Sequence, residues 1–440
     1  MKRLLLTVLA LILSVLPVRA ETAVPAMLDL DTALRIAREH QPQLVQARAQ
    51  SDAAQARIGT ALSPLLPQVV GSAGYQRGTA NTATRPGSSV STTGAGGSQS
   101  WNTYNYWNFG LSANQLIYDF GQSFDQWRAA RANAGAQREN ENTTLLQVLL
   151  NVRTAFFNAR ASKALMKVAE ETKTNQEHHL AQIQGFVEIG TRPEIDLAQV
   201  RSDLANARLA MINAENSYET AKARLNQTMG MEAPTNYDVA DETLPPVEKE
   251  DQNTETLLEE ALQARPEFAV LSDQIRAQEL TLASVQGGYW PSLNLSTELT
   301  SAGSQLDNDS QARNWSGGIT LNWPLFQGEL TRAKAIEARA NLRVLKSQSD
   351  TLRQQVRLEV EQARLAVRAA KAAITAADDA VVNTRKLLDL AEGRYQTGVG
   401  SIIELGDAQV ALSHAEAQKV QADYNLASAR AQLLQALGRR

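Results

Sequence analysis

The sequence predicts a mixed α and β fold made of two structural repeats, each a pair of long antiparallel helices plus two membrane β-strands. Three observations carry this. First, Gly190-Thr191-Arg192-Pro193-Glu194-Ile195-Asp196-Leu197 recurs as Gly398-Val399-Gly400-Ser401-Ile402-Ile403-Glu404-Leu405, at an offset of 208 that holds from Gly190/Gly398 to Gly230/Gly438. A fixed offset over 41 positions marks an internal repeat. Second, four segments alternate apolar and polar residues beside clustered aromatics. Third, two stretches of more than sixty residues, Gln122 to about Gln184 and Glu329 to about Glu392, contain no proline.

In chain order, residues 1–20 have the form of a secretory signal: Lys2 and Arg3, an apolar run from Leu4 to Leu16, and a small-residue cleavage site at Val18-Arg19-Ala20. Its removal leaves 40 basic against 47 acidic residues, a net charge near −7 that disfavours nucleic acid as a partner. The chain has no cysteine, so disulfides, zinc thiolates, Cys nucleophiles and a Cys-linked lipid after the signal are not expected. No run of 18 apolar residues is present to cross a bilayer as a helix.

Asp31 or Thr32 is placed to cap a first helix ending near His40, with Pro42 as the break and a second helix from about Gln43 to Leu62. An offset of 224 pairs Leu34 with Leu258, Ala37 with Ala261, Pro42 with Pro266 and Pro67 with Pro291. The first repeat therefore spans 21–230 and the second 254–440, joined by a Pro- and acid-rich linker, 231–253. Period-two alternation predicts strands at about 67–77, 104–118, 291–300 and 314–324. Trp107, Phe109 and Leu111 alternate with Asn108, Gly110 and Ser112, and Trp315, Ile319 and Leu321 with Ser316, Thr320 and Asn322. The alternating stretch within each, about 107–117 in the second, is about the 9–11 residues of a tilted membrane strand. Five of the six Trp residues (101, 107, 290, 315 and 323) lie in or beside them, as interfacial girdles would place them. Polar loops, 77–100 and 301–313, join the strands in pairs.

In the proline-free stretches, Leu145, Leu149, Val152, Phe156 and Ala159 step by fours and threes, as do Val356, Val360, Ala363, Val367, Ala370 and Ile374. That is heptad packing, and at ~1.5 Å per residue each rod approaches ~95 Å. Shorter helices return at about Glu194–Met229 and Ile402–Leu437, after tip loops at 186–196 and 394–404. Four strands are too few to close a membrane barrel, for which about eight is the minimum, and open strand edges are not tolerated in lipid. The chain is expected to assemble with itself. Two copies supply 8 strands and three supply 12, and periodicity does not choose between them.

These features resemble the TolC family of outer-membrane efflux and export proteins over essentially the whole mature chain. The resemblance rests on the doubled plan and on Pro324-Leu325-Phe326-Gln327-Gly328, with Leu116 to Gly121 as a looser first-half version. It rests also on a tip motif matched at Gly398, Ser401, Ile402, Glu404, Leu405, Asp407 and Ala408. It implies a homotrimer in outer-membrane lipid of a Gram-negative bacterium: a 12-stranded β-barrel continued by a 12-helix periplasmic α-barrel. Its implied partners are a periplasmic adaptor and an inner-membrane pump or ABC exporter, in a tripartite efflux pump or type I secretion. It implies a gate at the periplasmic tip, with Asp196, Glu404 and Asp407 as its acids and Tyr395 at the tyrosine position. The arginine position of the second half holds Gly400. Arg192, its first-half equivalent, is the candidate replacement, expected to pair with an acid of a neighbouring coil. Gly190, Thr191, Gly398, Gly400, Ser401 and Ile402 are the candidate adaptor-docking residues. Asp196 and Glu404 also suit helix N-termini on dipole grounds alone.

An enzyme, a cofactor site and a metal site are not expected. His178-His179 lie mid-helix, His40 and His414 stand alone, and Gly398-x-Gly400 lacks the third glycine and preceding strand of a dinucleotide site. The rival reading is a periplasmic coiled-coil adaptor or structural protein without a pore, which has no need of aromatic-flanked alternating strands.

Overall fold

The computed structural model describes residues 26–79, 103–306 and 311–440. The expected signal segment, Trp101 and much of the two predicted strand-joining loops fall outside them. The helices are α1 (Leu30–His40), α2 (Pro42–Leu62), α3 (Gln122–Glu188), α4 (Glu194–Met229), α5 (Thr254–Ala264), α6 (Pro266–Gly287), α7 (Leu330–Gln396) and α8 (Ile402–Ala436). The strands are β1 (Met27–Leu28), β2 (Gln68–Gly78), β3 (Tyr104–Tyr118), β4 (Asp238–Val239), β5 (Ser292–Gly303) and β6 (Gln311–Asn322). One correction concerns α1. Its N-cap position is Asp29, whose side chain makes no capping bond, and Asp31 lies in the first turn. The Asp29 carbonyl accepts from Ala33 N, so the helix starts earlier than a capping side chain alone indicates. Pro42 does not simply break the chain: it starts α2, where its missing N–H costs nothing.

The chain divides into two compact units. One comprises the residues up to Val45, Thr144–Ala264 and Val356–Arg440. Its core joins α1 (Leu34, Ile36), α3 (Leu149, Val152, Phe156) and α4 (Tyr218, Leu225, Met229) to the 231–253 segment through Tyr237, Val239 and Leu244. The heptad positions Leu149, Val152, Phe156 and Ala159 of α3 and Val356, Val360 and Val367 of α7 are nearly inaccessible to solvent. The 231–253 segment is strapped down at several points. Its β4 pairs in parallel with β1. Asp238 accepts from Lys163 Nζ (2.6 Å) and from the Tyr218 hydroxyl (2.5 Å). Glu250 receives Arg430 at 3.1 Å and Lys371 at 2.8 Å.

The other unit, Gln46–Thr143 and Arg265–Gln355, contains a four-stranded antiparallel sheet of order β2-β3-β5-β6. Pro67 and Pro291 immediately precede β2 and β5, where no ladder donor is needed. The register sorts the side chains by face. Val69, Ala73, Phe109, Leu111, Leu295, Leu299, Trp315 and Ile319 lie on one face. Ser72, Asn108, Ser112, Ser296, Glu298, Ser316 and Thr320 lie on the other. A register shift between Leu116 and Tyr118 sets Tyr118 against Leu293, on the apolar face. Aromatics band both ends of the sheet. Tyr75 packs on Trp107 at 4.4 Å near the loops, and Tyr118, Phe120 and Trp290 form a chain of rings at the opposite end.

Candidate functional site

The repeated turns joining α3 to α4 and α7 to α8 are built alike. Each helix ends on a glycine with positive φ, Gly190 (73°) and Gly398 (79°), which a side chain would strain. Gly190 N donates to Val187 O, and Thr191 N and Arg192 N to Phe186 O; Gly398 N donates to Tyr395 O, and Val399 N and Gly400 N to Arg394 O. The Thr191 hydroxyl donates to Phe186 O at 2.8 Å. The return helices start at equivalent caps, Pro193 and Ser401. Proline has no side-chain acceptor, whereas Ser401 Oγ accepts from Glu404 N at 3.1 Å.

The turns differ where sequence equivalence puts Arg192 opposite Gly400. Gly400 is buried. A Cβ built there lies 2.9 Å from Tyr395 N and 3.1 Å from Arg394 C, both backbone atoms. No arginine fits that position in this conformation. Arg192 instead reaches from the first turn to the second. Its guanidinium carbon lies 4.3 Å from the Tyr395 ring centroid, and Nη2 donates to the Tyr395 carbonyl at 2.9 Å. Its partner within this chain is therefore an aromatic ring and a carbonyl, not the carboxylate expected from the sequence.

Tyr395 anchors a small apolar cluster with Ile183, Val200, Ala391, Leu405 and Ala408, against which Ile402 packs. Its hydroxyl is buried without a hydrogen-bond partner of good geometry, although Asp196 is close enough to act on it. Burial pushes the Tyr395 phenol above its ordinary value; Arg192 opposes that and Asp196 reinforces it. The three acids are not equivalent. Asp196 is 7% exposed, at the foot of α4 beside Tyr395. Glu404 is exposed and pairs with Arg394 at 3.1 Å. Asp407, one turn along α8, faces solvent. Both Asp196 and Glu404 occupy the third position of their helices, near the positive end of the dipole.

Nothing in its sequence context singles out His179. It lies 6.1 Å from Tyr395, ring to ring, and its buried Nε2 has no partner. Burial holds its pKa below the ordinary value, against opposing pulls from Gln182 and Asp203. His179, Gln182, Phe186, Glu392, Tyr395 and Gln409 line a cavity of about 720 Å³. Burial of an imidazole on a long Ala- and polar-rich helix leaves no compositional signal. Among the described residues, no three His, Asp or Glu side chains are placed to hold a metal ion.

The tip geometry and the two-faced sheet stand beside a family match. The model for the outer membrane efflux protein family matches residues 33–231 and 257–439. The chain belongs to the outer membrane efflux protein family. It is 25% identical over 425 residues to outer membrane protein TolC of Escherichia coli, covering 91% of this chain and 80% of that one. It is 24% identical to TolC of Vibrio cholerae, over 91% and 89%. The fold matches that of the Campylobacter jejuni CmeC outer membrane channel with a TM-score of 0.79, at 20% identity, over 93% and 85% of the chains. It matches the open-state MtrE channel of Neisseria gonorrhoeae with a TM-score of 0.74, at 20% identity, over 93% and 89%. The resemblance read from the sequence thus holds, as do the efflux role and the outer-membrane location in a Gram-negative cell. The family is one of channels, not enzymes. The rival coiled-coil adaptor is set aside by this match and by the four-stranded sheet.

Proposed function

We propose that three copies of this outer-membrane efflux protein form a 12-stranded barrel continued by a 12-helix tunnel. Through it, cargo handed over by a periplasmic adaptor and an inner-membrane pump or ABC exporter leaves the cell. The observation that carries this is a sheet with one apolar face, one polar face and two edges, β2 and β6, without a neighbour among the described residues. In lipid each unpaired edge group costs several kcal/mol, so the edges require copies of themselves. Twelve strands leave a wet interior for the polar face.

The tip is the gate in this reading. Arg192 clamps Tyr395 and ties the two turns of one chain. Glu404 and Asp407, exposed and three residues apart on α8, supply carboxylates to a constriction that favours cations. Buried Asp196 holds the Tyr395 side rather than facing cargo. The turns also present Ile189, Ile195, Val399 and Ile403, all strongly exposed. Together with Gly190, Thr191, Gly398, Ser401 and Ile402, they form the surface offered to the adaptor, because an apolar patch on a helix end is a contact site. Gly400, buried beneath its turn, is not part of that surface.

The test is the mass of the detergent-solubilised complex by light scattering, with photo-crosslinking from Ile403 in cells. A trimer crosslinked to a periplasmic adaptor is expected. A monomer, or a trimer that yields no adaptor adduct, overturns the assembly or the docking reading respectively.

A further inference from the structure

Glu298 is the one charged residue on the polar face of the sheet among the described residues. The rest of that face is Ser, Asn, Thr, Gln, Tyr, Gly and a few small or apolar residues. The strand register brackets Glu298 between Ser112 of β3 and Ser316 of β6. Its side chain is exposed. A concavity of about 440 Å³ surrounds it, lined by Ser72, Tyr106, Asn108, Thr300 and Asn314 besides Glu298 itself. Hydroxyls and amides present oxygen acceptors around a single carboxylate, and among the described residues no basic side chain shares the face.

We propose that Glu298 forms a cation station inside the barrel, a subsite for amines and other organic cations, separate from the acids of the helical tip. This rests on the trimeric channel reading, in which the polar face lines the lumen. Twelve strands spaced ~4.8 Å and tilted ~40° enclose a backbone ring about 24 Å across. Three carboxylates reaching inward then stand roughly 10–15 Å apart. That exceeds the Debye length of ~8 Å at physiological salt and of ~3 Å at 1 M, but not the ~30 Å at 0.01 M. The station therefore acts locally on a passing cation at physiological salt. It governs small-ion selectivity across the whole lumen only in dilute electrolyte.

The experiment compares purified wild-type protein with Glu298→Gln, Glu298→Lys and Glu298→Asp in planar bilayers. Reversal potentials are read under a KCl gradient near ~0.01 M and again near ~1 M, and block by spermine added from the barrel side is titrated. In dilute salt, Glu298→Gln is expected to lower the K+/Cl− permeability ratio by about threefold, Glu298→Lys to lower it further, and Glu298→Asp to keep it. Spermine block weakens in the same order, and the ratios converge at high salt. Conducting trimers whose low-salt ratio and spermine block are the same for Glu, Gln and Lys overturn the inference. Wild-type protein that forms no conducting trimer strikes the channel reading instead.

Discussion

The Arg192 guanidinium covers the Tyr395 ring at 4.3 Å and donates to that residue's own carbonyl, so one side chain holds both tip turns of the chain together. A cation over an aromatic ring contributes about 0.5–2 kcal/mol, and a charged donor on a carbonyl a similar amount. Arg192→Ala is expected to loosen the tip by about 1–2 kcal/mol, raising amide exchange over Ile183–Val200 and increasing channel conductance. Arg192→Lys keeps the charge but loses the planar fork, and should restore less than half of the protection.

Gly400 and Gly406 make opposite predictions from the same substitution. A Cβ on Gly400 meets the Tyr395 and Arg394 backbone at 2.9–3.1 Å, whereas nothing lies within 4 Å of one on Gly406 inside α8. Gly400→Ala should destabilise by about 1–3 kcal/mol, because backbone atoms must shift. Gly406→Ala should stabilise by about 0.5–1 kcal/mol, by removing helix-interior glycine. Thermal melts of the two variants check the pair, and equal shifts of one sign count against the close backbone approach at Gly400.

Glu250 is the buried joint of the 231–253 strap, gripped by Arg430 and Lys371. Removing it takes the carboxylate from the half-buried Arg430, which keeps only the Leu244 carbonyl, so Glu250→Ala should cost about 2–4 kcal/mol. Asp241→Ala, which removes the highly exposed partner of Arg160, should cost under ~1 kcal/mol. Burial raises the Glu250 pKa, but the bonds from Arg430 and Lys371 outweigh it and leave the group below its ordinary 4.5. A depressed carboxyl stabilises the fold above its unfolded pKa and loses that contribution as pH falls through the folded one. Melting followed by circular dichroism should drop as the pH is lowered below about 4.5, and Glu250→Gln should flatten that limb.

Ile319 and Thr320 are neighbours on β6 that point to opposite faces. Lysine on a lipid-facing position costs about 2–4 kcal/mol at the bilayer midplane, while a lumen-facing lysine meets water. Ile319→Lys is expected to reduce the amount of assembled protein in outer-membrane fractions, and Thr320→Lys to leave it near the wild-type level. Equal assembly of both variants would contradict the assignment of faces.

Periodicity exposed the strands and helices because each buries one face of a regular element: Trp315 and Ile319 alternate with Ser316 and Thr320, and Val356 and Val360 recur on one side of α7. What it could not expose depends on packing between segments distant in sequence. The β1–β4 pair is two residues long on each side, too short for any period. The face switch at Tyr118 comes from a register shift invisible in an alternating pattern. The tip residues were legible as a repeated motif, but the Arg192–Tyr395 contact joins positions 203 apart, and the burial of Asp196 and His179 comes from packing that no local pattern encodes. The glycine at 400 reads as a missing arginine until the backbone beneath it is seen.

The pairing of Met27–Leu28 with Asp238–Val239 has a consequence for biogenesis. Leu28 and Val239 are both sealed from solvent, and Leu30 N reaches Glu242 across 212 residues. The earliest described residues to be exported must therefore wait for the middle of the polypeptide before they find their neighbours. Contacts of such separation are entropically late. This part of the fold can close only once the chain has been exported as far as Glu242, and until then the amino-terminal stretch is without its neighbours.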